Sequence, residues 1–172
     1  MTFFVRLVLL VSGCLAASHG AILQAAEFVL DGDLHHLRID APREWSEFPE
    51  TPEADHLEIR FESRRNVSEQ VLRLRQQDIK QTWRVFLNGN ALGRLRSNED
   101  DMVVYLPVPA GMLKSGENIL RIEQDLSRRA VPDDVRIGEI VFEDRAVHEA
   151  LAQSGVTVEV VDGDTGRLTP AR

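Results

Sequence analysis

Short stretches of alternating apolar and polar residues, each closed by a turn signal, recur along this sequence and limit its fold more than any other feature. His56-Leu57-Glu58-Ile59-Arg60-Phe61-Glu62 puts Leu57, Ile59 and Phe61 on one face and charges on the other, the pattern of a half-buried strand. Val71-Leu72-Arg73-Leu74-Arg75 repeats it, with Leu72 and Leu74 inward. Trp83-Arg84-Val85-Phe86-Leu87 runs into Asn88-Gly89, a pair that accepts positive φ and suits a tight hairpin, and a second limb leaves through Leu92 and Leu95. Met102-Val103-Val104-Tyr105-Leu106-Pro107 is apolar on both sides, which predicts a strand central in its sheet or covered by a partner. Residues 118–123 and 135–142 complete the series, Gly138 marking a bulge in the last. Near the start, residues 27–30 and 37–40 read as two strands around a turn at Asp31-Gly32-Asp33. Residues 41–55, with Pro42, Pro49 and Pro52, read as an irregular loop or edge, because proline has no donor for a ladder. Eight or nine short strands with almost no helical periodicity predict an all-β chain, an antiparallel sandwich or barrel.

The ends of the sequence differ from this middle. Residues 1–26 carry one Arg and no acid, with an apolar run from Leu7 to Ala17 and small residues that offer cleavage after Gly20 or near Ala25-Ala26. That is the pattern of a secretory signal, and the run is shorter than the ~20 apolar residues a membrane-spanning helix needs. Val11-Ser12-Gly13-Cys14 is similar to a bacterial lipobox, so lipidation at Cys14 is the alternative to ordinary removal. Cys14 is the single cysteine, which leaves the mature chain without a disulfide and dependent on its core. At the other end a helix is expected over 145–153, capped by Asp144 with Val147 and Leu151 on one face, inside a linker spanning 145–155. Residues 156–172 read as a trailing β-hairpin around Gly163-Asp164-Thr165-Gly166. It either docks on the sandwich or opens a second β domain truncated at Arg172.

The net charge of −8 becomes −9 without residues 1–26, which argues against a nucleic-acid or anionic-membrane partner. Arg64-Arg65 and Arg128-Arg129 read as solvated loop charge. The catalytic inventory is thin: no mature cysteine, no nucleophile elbow and no phosphate loop. His148-Glu149 begins like a zinc-protease helix, but Ala152 stands where the second His would be. His35 and His36 point to opposite faces of a strand and cannot share one ion. Asp31-Gly32-Asp33 and Asp162-Gly163-Asp164 lack the remaining ligands of a calcium loop and read as turns. Asp133-Asp134 could help hold a structural calcium, though a polar loop is the simpler reading, and no cofactor or metal is predicted. No catalytic residue is assigned. The Asn66-Val67-Ser68 sequon carries little weight in a bacterial chain. Sugars stack their apolar faces on exposed rings, and with aromatics at 6% the candidates are few. Trp45, in the Pro-rich loop beside Phe48, is the candidate ligand-binding residue, whereas Trp83 starts a strand and belongs to the core or its rim.

Two groups of residues carry a resemblance. Trp83-x-Val85-x-Leu87-Asn88-Gly89-x-x-Leu92-Gly93, followed by Gly116-x-Asn118-x-Leu120-x-Ile122, resembles the galactose-binding-domain-like sandwich of carbohydrate-binding modules over residues 27–144. That resemblance implies a jelly roll of about eight strands and, in many members, glycan binding, with no fixed ligand residues to carry over. Val156-x-Val158-x-Val160-x-Asp162-x-x-Thr165-Gly166-x-x-x-Pro170 is similar to the first hairpin of carboxypeptidase-regulatory-like, Ig-like domains. Together they imply a non-catalytic exported accessory module, periplasmic, extracellular or at the cell surface, that binds glycan or another extracellular polymer or positions a downstream domain. A purely structural or protein-interaction spacer, and the N-terminal fragment of a secreted metal-dependent hydrolase, are the alternatives.

Overall fold

The computed structural model describes residues 27–39, 42–127 and 131–152. The expected signal with Cys14, the Arg128-Arg129 pair and the hairpin over 156–172 lie outside the described residues. Eight strands are described: β1 (Glu27–Arg38), β2 (His56–Ser63), β3 (Gln70–Gln77), β4 (Trp83–Leu87), β5 (Asn90–Arg94), β6 (Met102–Val108), β7 (Gly116–Gln124) and β8 (Asp134–Glu143), followed by helix α1 (Val147–Ala152). They form two four-stranded antiparallel sheets, ordered β1-β8-β3-β6 and β2-β7-β4-β5. Eight antiparallel strands divided between two such sheets make a jelly-roll sandwich.

The alternations seen in the sequence build its core. Leu72 and Leu74 of β3 face Leu57, Ile59 and Phe61 of β2, Trp83, Val85 and Leu87 of β4, and Leu120 and Ile122 of β7 within one apolar cluster. In β8 the inward positions are Val135 and Ile137, then Ile140 and Phe142, so the parity changes partway along. A bulge makes the change: the register against β3 slips between Arg73↔Val141 and Arg75↔Gly138, and Glu139 takes φ 47°. One extra residue rotates every later side chain to the other face, and without it Ile140 and Phe142 would point outward. Gly138 is required there because a Cβ would lie 1.9 Å from the carbonyl oxygen of Asp33.

The Asn88-Gly89 turn forms as the sequence implies, with φ of 54° and 78° joining β4 to β5. Three expectations are corrected. The Asp31-Gly32-Asp33 segment is no hairpin turn: β1 runs unbroken from Glu27 to Arg38, and the segment is absorbed as register shifts against β8. Strand β6 is an edge strand, not a central one. Its two-sided apolarity has another cause, since one face joins the core through Val104, Leu106 and Val108 while α1 packs beside β3 and β6. Pro107, lacking a donor, fits an edge. Helix α1 starts at Val147, where Glu149 reaches back to the Ala146 amide (3.0 Å), while Asp144 accepts from Gln70 instead of capping. Of its residues Ala150 is buried, whereas Leu151 and His148 are exposed.

Candidate functional site

The irregular loop between β1 and β2 crosses one end of the sandwich, and buried polar groups fix it there. Asp134, fully buried at the start of β8, accepts from Arg38 (3.3 Å) and from the Glu44 amide (2.9 Å) and pairs with His36 Nε2 (2.5 Å). Arg38 also donates to the Glu50 carbonyl (2.6 Å), and Arg136 to that of Glu47 (2.9 Å). Arg43 closes the loop on the Phe48 carbonyl (3.2 Å). Phe48 is buried, its ring edge-on to His36 at 5.3 Å and beneath the Arg136 guanidinium at 4.6 Å. At the far end of the loop the Glu53 amide donates to the His36 carbonyl (2.9 Å), and the Glu53 carboxylate accepts from the His36 amide (3.2 Å) and contacts His35 (2.7 Å). A segment without regular structure is thereby tied to β1 and β8. Several of its backbone groups, among them the Glu44 amide and the Glu47, Phe48 and Glu50 carbonyls, have partners, as placing a loop against a core requires.

Trp45 rides on this loop with 46% of its surface exposed, while Trp83 is fully buried and its indole donates to Asp133 (3.0 Å). The Trp45 indole N–H donates to Asp78, and the Lys80 ammonium lies 5.6 Å from the ring centroid, paired with Asp78 (2.8 Å) and Glu44. Burial would lower the Lys80 pKa, but the Asp78 and Glu44 carboxylates outweigh it and raise it above the usual lysine value. Asp78 is 4% exposed and sits at φ 61°, a conformation that Asp tolerates better than most residues. One buried carboxylate therefore sets both the indole and the ammonium beside it.

Trp45 forms part of a cavity of about 350 Å³ with Glu47, Phe48, Gln77, Asp78, Glu99 and Asp100. Of these the sequence singles out Trp45, with Phe48 as its neighbour. Asp78 follows β3, and Glu99 and Asp100 lie between β5 and β6, so long-range pairing of strands is what brings them together. The Ile79–Asn98 bridge ties these two loops, with N···O distances of 2.9 and 2.8 Å.

The remaining candidates have structural roles. His35 and His36 point apart as expected, one to Asp31 (2.9 Å) and Glu53, the other into the interior. Asp133 and Asp134 are not a solvated loop: both are buried, and Asp133 accepts from the Lys80 and Gln81 amides (3.1 and 2.9 Å) as well as from Trp83. Among the described residues no group of three or more His, Cys, Asp or Glu side chains is placed to hold a metal ion. No described helix is long and apolar enough to cross a membrane. Asn66 of the sequon is buried, its amide spent on the Ser68 and Pro109 carbonyls (2.9 and 2.8 Å), so it cannot accept a glycan while folded.

A larger cavity, about 450 Å³, lies at the opposite end, between Phe28, Glu62, Arg64, Arg65, Val67 and Asp144 among others. Val67 there is 91% exposed. Phe28 is the outer ring of an aromatic row, 6.4 Å from Phe61, which is 5.5 Å from Phe142. Its ring extends the core outward, and no polar group fixes it.

The sequence matches no protein-family model and no curated protein. Among solved structures it is similar to one described as the native structure of a family 35 carbohydrate binding module from Clostridium thermocellum. The identity is 11% and the TM-score 0.34, over 69% of this chain and 98% of that one. A likeness of this size assigns neither ligand nor site residue. The strand order and the core identify the chain as an all-β jelly-roll sandwich.

Proposed function

We propose that this chain is a non-catalytic, exported accessory module that binds glycan at the end of the sandwich bearing Trp45. The observation that carries the reading is the Trp45 cavity: an exposed indole, fixed by its own hydrogen bond, beside carboxylates and an amide that can accept from or donate to hydroxyls. A sugar ring offers an apolar face edged by hydroxyls, and such a cavity matches both. Pre-organisation strengthens the case, because a loop already pinned by Asp134, Arg38 and Arg136 loses little freedom on binding. Support for export comes from the sequence of residues 1–26.

The non-catalytic reading rests on what the polar groups are committed to. His36 and Asp134 form a pair of the kind that catalysis uses, but both are sealed in the interior and Asp134 is spent on Arg38 and the Glu44 amide. Affinity electrophoresis through gels containing soluble polysaccharides tests the proposal. Retardation by at least one polysaccharide is expected for the native protein, and Trp45→Ala should run unretarded with unchanged far-UV circular dichroism. Equal retardation of the variant, or none of the native protein by any polysaccharide tried, contradicts it.

A further inference from the structure

The charge around the Trp45 cavity narrows the ligand, on the condition that this cavity is the binding site proposed above. Its residues include four carboxylates, Glu47, Asp78, Glu99 and Asp100, and no lysine or arginine. Asp78 is engaged by Trp45 and Lys80. Glu47, Glu99 and Asp100 are exposed and enter no ion pair among the described residues. This contrasts with the sheet surfaces, where Arg60, Arg73, Arg75, Arg84 and Arg121 each meet a carboxylate. Two guanidiniums are committed elsewhere, Arg136 to the Glu47 carbonyl and the Phe48 ring, and Arg75 to Asp101 and Glu139.

The ring itself shows which chemistry it accepts. Lys80 already holds an ammonium 5.6 Å from the Trp45 centroid with two carboxylates closing on it. An indole face attracts cations through its quadrupole, Trp most strongly of the aromatic side chains. The cavity beside it adds Glu47, Glu99 and Asp100, carboxylates with no cation of their own among the described residues.

We infer that the Trp45 cavity selects glycans bearing free, protonated primary amines, polymers of 2-amino sugars, over neutral or anionic ones. The sugar ring stacks on the indole as in the neutral case, and the ammonium replaces the missing partner of Glu47, Glu99 and Asp100. A uronate would meet the same carboxylates and be repelled.

Three oligomers of equal length and the same β-linkage isolate the charge: glucosamine, N-acetylglucosamine and glucose. Titration calorimetry with each, in buffer acidic enough to keep the amine protonated, is expected to give the glucosamine oligomer an affinity roughly tenfold higher, the effect of two or three partly exposed ion pairs. The preference should shrink in about 1 M salt, where the screening length is only ~3 Å. It should also vanish in Glu99→Gln/Asp100→Asn, a double change that removes both charges and keeps side chains able to hydrogen-bond hydroxyls. Equal or tighter binding of the glucose oligomer overturns the inference while leaving the glycan reading in place. Binding of none overturns the inference, and the glycan reading is then decided by the gel electrophoresis above.

Discussion

The two ends of the sandwich solve the same problem with different chemistry. Each must satisfy the backbone of loops that no sheet can pair. At the Asn88-Gly89 end the work falls to neutral amides: Asn118 accepts from Asn88 (2.8 Å) and the Lys114 amide (2.9 Å) and donates to the Gly116 carbonyl (2.8 Å). Asn66 accepts from the Leu113 amide (2.9 Å) and donates to Pro109. At the Trp45 end Gln76 and Gln124 serve the Arg96 and Val131 carbonyls in the same way (2.6 and 2.7 Å), and charges are added, with Asp134 between His36 and Arg38, and Asp133 under Trp83. Neutral amides bridge short loops and draw them close. A buried charge needs several partners at once, and it collects them from a long loop that then projects a ring outward. The charged end carries the proposed ligand site, and the amide end holds its own loops.

That contrast predicts unequal costs. Asp134→Ala leaves His36 and Arg38 buried without their carboxylate, and should destabilise by about 3–5 kcal/mol in urea unfolding, the range for breaking a buried ion pair. A loss under about 1 kcal/mol would mean that the loop is held by something else. At the opposite end Asn118→Ala strands several groups of lower desolvation cost, and about 2–3 kcal/mol is expected from the same measurement. If Asn118→Ala costs more than Asp134→Ala, the assignment of the stronger network to the Trp45 end is wrong. Gly89→Ala should cost about 1 kcal/mol, because φ of 78° is strained for alanine although nothing lies within 4 Å of the new methyl.

Much of this division was legible in the sequence and some was not. The alternations placed the core, and Asn88-Gly89 placed a hairpin, because these signals are local. Asp31-Gly32-Asp33 misled because a bulge and a hairpin turn use the same residues, and only Gly138 on β8, which leaves room for the Asp33 carbonyl, distinguishes them. β6 looked central because α1, which packs beside it, lies some forty residues further along the chain. At the site, Trp45 stood out as an aromatic in a polar loop. Asp78, Glu99 and Asp100 did not, since an acid in a loop has no signature until the strands bring three loops to one end. Asp133 and Asp134 looked solvated for the same reason.

The smallest expected effect is a pH dependence at the edge of the charged end. Burial would lower the pKa of His35, but its hydrogen bonds to the Glu53 and Asp31 carboxylates and their charges outweigh it, so the folded value lies above 6.5. The His35 contribution is then fully present below about pH 6.5 and is lost as pH rises through the folded value. Its partner works in the opposite sense. The His35 hydrogen bond holds Glu53 below 4.5, so that contribution is present above about 4.5 and fades as pH falls through the folded value. Native protein and His35→Gln should differ by less than about 1 kcal/mol near pH 6 and converge in alkaline buffer, as thermal melts across pH would show. A gap that widens with pH would reverse the assignment.

The claim that ligand meets the molecule at the Trp45 end has a direct optical test. Trp83 is fully buried and Trp45 is 46% exposed, so the fluorescence that acrylamide can quench belongs to Trp45. Quenching is measured with and without saturating glucosamine oligomer, and again with its glucose counterpart, while calorimetry records binding. The oligomer that binds is expected to shield Trp45 and lower its quenching constant severalfold. Calorimetric binding with quenching unchanged would place the ligand elsewhere and contradict it.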